Sequence, residues 1–260
     1  MSIYDSIGQE YSKTRIPDPR IVRTVIDLLN LPKGSTIADV GAGTGGYSRA
    51  IANLGYSVCG IEPSSVMRAQ QLEYPRVEWL TGYAEALPLP DNSVDGVISI
   101  LTMHHFSDLE KAICEMHRVV KFGAIVLLTF DIRLAEKIWL YDYFPWLWED
   151  ALRFLPLPQL ANLIQTITKR SVETIPFVLP HDLSDLFAAA AWRRPELYLK
   201  PEVRAGISSF AVTNSRLIEP AVKALATDLS SGQWDAKYGK IRQLTEIDVG
   251  YRFLRATLKT

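Results

Sequence analysis

Between Thr36 and Phe130 the chain alternates short apolar runs with segments of helical spacing. "TIADV" (36–40) is a β-branched run that ends in glycines, and "YSRAIANLG" then shows helical spacing and stops at Gly55. "SVCGI" predicts a second strand, and "EPSSVMRAQQL" a second helix started by serines. "VEWLT" predicts a third strand, and "SVDGVISI", led in by the turn "PLPDN", a fourth. "SDLEKAICEMHRVVKFG" predicts a helix with Ser107 as its cap and Glu110 three residues on, a capping box. "AIVLLTF" suits a strand buried on both faces. Alternation of this kind predicts an α/β fold with a parallel sheet and right-handed crossovers.

The flanks carry other patterns. "DPRIVRTVIDLLNL" predicts a helix capped by Asp18, with Pro19 in its first turn and Ile21, Val25, Leu28 and Leu29 on one face. Residues 133 to about 170 read as helical and rich in aromatics: Trp139, Tyr141, Tyr143, Phe144, Trp146 and Trp148. "SVETIPFVL" predicts another strand, helical segments fill roughly 181–248, and "YRFLRATLK" a last strand. There is no internal repeat and no low-complexity tract.

Bulk properties narrow the options. A chain of 260 residues with 48% hydrophobic residues suits one large α/β domain, or one domain with a sizeable insertion. A formal net charge of -1 gives no general pull toward nucleic acid or acidic lipid. Cys59 and Cys114 stand apart, with no metal spacing, so a disulfide is not expected and a reducing cytoplasm is. The polar N-terminus lacks a signal-peptide core, and no apolar run approaches the roughly 20 residues that span a bilayer. A soluble protein is expected.

The chemistry starts at "IADVGAGTGGYS". Gly41, Gly43 and Gly46 have the spacing G-x-G-x-x-G. Such glycines permit a tight turn, positive φ and close backbone approach to a ligand, and the following helix offers free N–H groups to an anion. Either the pyrophosphate of NAD or the carboxylate of S-adenosyl-L-methionine (SAM) fits. Glu62, about 20 residues on, can accept from both ribose hydroxyls, a contact both cofactors use. As an alternative it is a surface Glu before Pro63. Asp39 favours a cationic ligand, because a pyrophosphate gains nothing from a carboxylate there. Its other reading is an Asp that orders the glycine turn.

"ADVGAGTGGYSRAIANLGYSVCGIEPSSVM" and "TGYAEALPLPDNSVDGVISILTMHHFSDLEKAICEMHRVVKFGAIVLLTF" together resemble the ordered motifs of class I SAM-dependent methyltransferases. The resemblance is to the small-molecule enzymes of the ubiquinone-biosynthesis type and covers roughly residues 35–130. It implies a Rossmann-like, seven-stranded, mostly parallel sheet with an antiparallel last strand. Helical insertions would follow strand 5 and separate the last two strands. The chain then divides into a cofactor-covering segment (1–34), a SAM-binding core (35–132), a helical lid (133–170) and the last two strands with their insertion (171–260).

The same resemblance assigns residues. Gly41 and Gly43 line the methionine part, Glu62 holds the ribose, and Ala84 and Glu85 edge the adenine. The main chain at Ile100 and Leu101 faces the methionine amino group. Tyr11 and Arg15 belong to the segment folding over the cofactor, with Arg15 set to pair with its carboxylate. Two departures stand out. Tyr83 occupies the place of an Asp that binds adenine in many relatives, so it is expected to stack on or cover the ring. The turn before the fifth strand is "KFGA", with one glycine. Gly46 reads as helix packing.

Methyl transfer from a sulfonium is an in-line displacement, so the protein must chiefly align the acceptor and exclude water. His104, after the fourth strand, is the candidate catalytic residue facing the methyl group. His105 reads as structural, and His181 and Tyr4 are lesser candidates. No metal is expected. Most aromatics of 139–148 read as packing, a few as lid. Arg193, Arg194, Tyr198 and Arg204 form either a wall for an anionic substrate or a solvated helix face, the latter preferred. The expected function is methylation of a small molecule. The rivals are an NAD-dependent oxidoreductase and a SAM-binding protein without transfer activity. A nucleic-acid substrate is disfavoured by charge and by the lack of an N/D-P-P-Y motif.

Overall fold

Strands rich in Val, Ile and Leu with both faces apolar need cover on both sides. The computed structural model describes Asp5 and residues 8–258 and shows that cover. The strands are β1 (Thr36–Val40), β2 (Ser57–Ile61), β3 (Val77–Leu80), β4 (Gly96–Ile100), β5 (Ile125–Phe130), β6 (Ser171–Pro176), β7 (Leu179–Pro180), β8 (Glu246–Ile247) and β9 (Tyr251–Thr257). Seven of them form one sheet in the order β3-β2-β1-β4-β5-β9-β6, while β7 and β8 pair with each other. β1 to β5 run parallel, and β9 lies antiparallel between β5 and β6. The last strand is thus antiparallel, as expected.

Alternation along each strand sorts the core into two layers. Ile37, Ile98, Val126 and Leu128 pack with Ile21, Val25 and Leu29 of the helix Pro19–Leu29 and with Ile51 of the helix Gly46–Asn53. Ala38, Val40, Val97, Ile125 and Leu127 pack with Ile113 and Met116 of the helix Leu109–Val119 and Leu160 and Ile164 of the helix Leu157–Thr168. Asp18 caps the first of these helices, its carboxylate accepting from Arg20 N at 2.9 Å. Val22 joins the buried face of that helix, and Leu28 is only half-buried.

Several local expectations are corrected. The second helix is one turn, Ser65–Arg68, rather than the full stretch 62–72. Beyond it, Gln70 and Gln71 use their side-chain amides to donate to Gly8 O and Gly43 O, both at 2.8 Å. These bonds hold the segment against the N-terminal turn and the glycine loop instead of a helix face. The helix expected from Ser107 is capped by Asp108, whose Oδ1 accepts from Lys111 N at 3.0 Å. Ser107 is drawn away by Glu85 Oε1, which accepts from its N–H and hydroxyl. The strand expected over 171–179 breaks after Pro176, and Leu179–Pro180 pairs instead with Glu246–Ile247. Residues 181–194 are turns, so the helical part of that insertion begins at Pro195.

The aromatics after β5 are mostly core. Trp139, Phe144, Tyr198, Phe210 and Trp234 are buried and pack edge to face. Trp139 Nε1 donates to Trp192 O at 2.6 Å. The helices between Leu140 and Ala151 therefore pack with those of the later insertion through an aromatic core, while the helix Leu157–Thr168 stays on the sheet face with Leu109–Val119. Among the described residues no helix is long and apolar enough to cross a membrane.

β1 and β4 are neighbours, and the connections from them depart to opposite sides of the sheet. The crevice beyond their carboxyl ends is where open α/β sheets bind ligands.

Candidate active site

The glycine loop leaves β1 by folding back on β2. Gly41 N and Ala42 N both donate to Ile61 O, at 2.9 and 3.0 Å. Gly41 has φ 80°, and a Cβ there would lie 2.5 Å from Thr102 Oγ1. Only glycine lets β1 and β4 release their chains so close together. Gly46 meets Pro17, whose Cγ would sit 2.8 Å from an added Cβ, so it packs the following helix.

Glu62 follows directly on β2 and is 5% exposed. Its Oε2 accepts from Gly43 N at 2.9 Å and its Oε1 from Ser64 N at 2.8 Å. Burial raises its pKa, opposed by these two N–H donors. Asp39, near the carboxyl end of β1, is 2% exposed and accepts from Ser48 Oγ at 2.6 Å. Burial pushes its pKa up to about 6, with the Ser48 hydrogen bond opposing and the nearby Glu62 charge adding. Two buried carboxylates thus flank the glycine loop, an arrangement that suits a ligand bearing positive charge.

A cavity of about 500 Å³ opens beyond these groups. One end is walled by Gly41, Gly43, Glu62 and Tyr11. Tyr83, Ala84 and Glu85 also line the cavity, as do Ile100, Leu101, Thr102, His104 and His105. Every residue named for the cofactor lines this cavity except Arg15 and Asp39. Those two line a recess of about 40 Å³ that shares Tyr11, Gly41, Gly43 and Ile100 with it.

Individual residues have these postures. The Glu85 carboxylate accepts from Ser107 N and Asp108 N. Burial raises its pKa, but these hydrogen bonds outweigh burial and hold it below the usual value. Tyr83 is 53% exposed, at the rim. Arg15 Nη1 donates to Tyr11 Oη at 2.5 Å, and its Nη2 to Asp185 Oδ2 at 3.3 Å. Leu101 takes φ 54°, a left-handed conformation costing roughly 1–2 kcal/mol for a residue with a Cβ. It turns the chain out of β4 across the cavity mouth.

His104 and His105 sit on the turn Met103–His105 with ring centroids 3.9 Å apart. Burial, then the charges of His105 and Arg15, hold the His104 pKa well below its usual value. Burial, helped by the Arg15 charge, holds His105 at about 4. Both are neutral near pH 7. His104 stacks toward Phe154 at 5.0 Å and Phe130 at 6.1 Å. Behind these rings lies a narrow chamber of about 30 Å³ lined by Phe130, Tyr141, Leu147, Phe154, Tyr251 and their neighbours, none charged.

The basic wall is not assembled. Arg193 donates to Leu244 O, Arg194 to Leu183 O and Arg204 to Tyr198 O, and none lines the cavity. Tyr198 is wholly buried. His181 also lies away from the cavity, and Tyr4 falls outside the described residues. Among the described residues no three His, Cys, Asp or Glu side chains gather as a metal site. Sequence reasoning missed Thr102, Met67, Tyr47 and Asp185, which line the cavity or its recess. Thr102, Met67 and Tyr47 lie within the quoted motifs, whereas Asp185 carried no signal.

Comparison with known proteins gives the family. The methyltransferase-domain family profile matches residues 38–128. A solved structure described as a candidate methyltransferase from an antibiotic biosynthesis pathway of Anabaena variabilis is 68% identical. It superposes with a TM-score of 0.93 over 94% of this chain and 99% of that one. Demethylmenaquinone methyltransferase of Tropheryma whipplei is 27% identical over 63% of this chain and 69% of its own. Phosphoethanolamine N-methyltransferase 2 of Haemonchus contortus, solved with SAM, shares the fold at a TM-score of 0.60 and 17% identity, covering 98% of this chain and 56% of that one. The chain belongs to the class I SAM-dependent methyltransferases, and the NAD-dependent alternative falls.

Proposed function

We propose that this methyltransferase acts on a small, largely apolar acceptor held between His104 and the aromatic chamber. The observation that carries this reading is the polarity of the cavity. Glu62 lines the cavity and Asp39 the recess that adjoins it, whereas His104 packs on Phe130 and Phe154, which wall an uncharged, largely aromatic chamber. The cofactor's charged half suits the first region and an apolar acceptor the second. The small acceptor named for the Tropheryma enzyme and the antibiotic pathway named for the Anabaena protein support the same class.

In this reading the ribose hydroxyls donate to Glu62, with Gly41 and Gly43 along the methionine chain. Ala84 and Glu85 border the adenine through their main chain, and Tyr83 covers it from the rim. The bound sulfonium supplies an activated methyl group. The protein's own work is positioning and exclusion of water. His104, neutral, accepts a hydrogen bond from a hydroxyl or amine of the acceptor and orients it. A depressed pKa makes it a weak base, so an acceptor that is acidic or already anionic at the reacting atom reacts most readily. Segment 133–170 covers the acceptor. A reducing cytoplasm suits the free thiols Cys59 and Cys114.

Screening uncharged aromatic and aliphatic acceptors beside anionic ones, with homocysteine release as readout, tests this proposal. Turnover confined to acceptors that carry charged groups away from the reacting atom would overturn it.

A further inference from the structure

Arg15 is held by a residue with no sequence signal. Asp185 lies in the turns after β7 and is wholly buried. Its carboxylate accepts from Arg15 Nε at 2.5 Å, from Arg15 Nη2 at 3.3 Å and from Tyr47 Oη at 2.9 Å. The backbone reinforces the link. Arg15 and Asp185 form an isolated antiparallel bridge, and Leu186 N donates to Thr14 O at 3.1 Å. The C-terminal insertion thereby clasps the N-terminal segment over the glycine loop.

These groups surround the recess that joins the cofactor cavity. Asp39, Asp185, Arg15 and Tyr47 line it together with Gly41 and Gly43. Its volume, about 40 Å³, admits a few heavy atoms, given roughly 10–15 Å³ for one water. A carboxylate and an ammonium on one carbon match that size and that mixture of one guanidinium with two carboxylates. A guanidinium that is only 10% exposed needs a fixed counter-charge to keep its fork aimed. Asp185 grips the Nε and Nη2 side, while Nη1 donates to Tyr11 Oη and to Gly206 O at 3.3 Å, so the guanidinium is fixed at the wall of the recess.

We infer that Asp185 is a positioning residue for the amino-acid end of the cofactor, acting through Arg15. The C-terminal insertion, through Asp185, thus makes binding selective for a nucleoside that carries an α-amino-acid tail. The inference rests on the cofactor placement proposed above.

Two probes separate the ends of the cofactor. S-adenosylhomocysteine has the amino-acid tail, and 5′-methylthioadenosine has the same thioether nucleoside without it. Calorimetric titration of both into wild type, Asp185→Asn and Glu62→Ala is the test. Asp185→Asn is expected to weaken S-adenosylhomocysteine at least tenfold and 5′-methylthioadenosine less than twofold. Glu62→Ala is expected to weaken both. Equal losses for both probes in Asp185→Asn, or no loss for either, would overturn the inference. Failure of Glu62→Ala to weaken either probe would instead strike the cofactor placement. If Asp185→Asn does not fold, Tyr47→Phe removes one hydrogen bond to the same carboxylate. A threefold or larger loss confined to S-adenosylhomocysteine is then expected, and its absence overturns the proposal.

Discussion

Asp39→Asn separates the two roles open to this carboxylate. Asp39 is almost sealed from solvent, and burial raises its pKa from 3.8 to about 6. A raised carboxyl pKa means that the folded protein binds the proton more tightly than the unfolded chain. Stability is then highest with the group protonated and is lost as pH rises from about 4 through about 6. At about 1.36 kcal/mol for each tenfold change in proton affinity, that rise corresponds to about 3 kcal/mol at pH 8. Asparagine has nearly the same shape, can still accept from Ser48, and never ionises. The cofactor-free variant should therefore be more stable than wild type at pH 8 by up to about 3 kcal/mol. For a chain of this size that is roughly 6–12 °C in melting temperature. The gain should shrink to below about 1 kcal/mol near pH 4, where the wild-type group is largely protonated in the folded protein. SAM affinity should move the other way, by about 1.5–3 kcal/mol for loss of a charged partner. Paired thermal scans at pH 8 and pH 4–5, with calorimetric SAM titration, measure both. A variant that is destabilised at pH 8 would refute the reasoning, because Asp39 would then be ordering the glycine turn rather than holding charge for a ligand.

Other outcomes follow from the same geometry. Gly41→Ala should lose at least about 1–2 kcal/mol of stability from its left-handed φ alone, and more from Thr102, readable by chemical denaturation. Glu62→Ala should weaken SAM by about 1–3 kcal/mol by leaving ribose hydroxyls unpaired, and unchanged affinity would remove Glu62 from the site. With its pKa well below the usual value, His104 should give no inflection in kcat between pH 6 and 8. A step near pH 6.5 that disappears in His104→Gln would show a titrating base instead, since about 6.5 is where an ordinary imidazole titrates. Arg204→Ala should leave the acceptor KM unchanged, because its guanidinium is spent on Tyr198 O rather than on the cavity.

The sheet was legible because its signals are local. The runs 36–40, 57–61 and 125–130 are apolar at nearly every position that two helical layers must cover, and Gly41 marks where β1 ends. Glu62 was legible because its spacing from the glycines follows from one β-α-β unit. The short second helix was not, since what stops it are amide bonds from Gln70 and Gln71 to distant backbone. Ser107 lost its cap role to Asp108 for the same kind of reason, a tertiary hydrogen bond from Glu85. Leu101 shows no sign in its side chain of a left-handed backbone. Asp185 lies 170 residues from Arg15, and no periodicity joins them. Arg193, Arg194 and Arg204 form a cluster in sequence that the turns before Pro195 and the short helices after it disperse among backbone carbonyls.

The central claim is the placement of the cofactor, and a crystal structure of the protein with S-adenosylhomocysteine tests it most directly. Both ribose hydroxyls should lie within hydrogen-bonding distance of Glu62, with the amino-acid end in the recess of Arg15 and Asp39 and the thioether sulfur facing His104. A nucleoside bound away from Glu62, or reversed so that adenine enters that recess, would contradict the account.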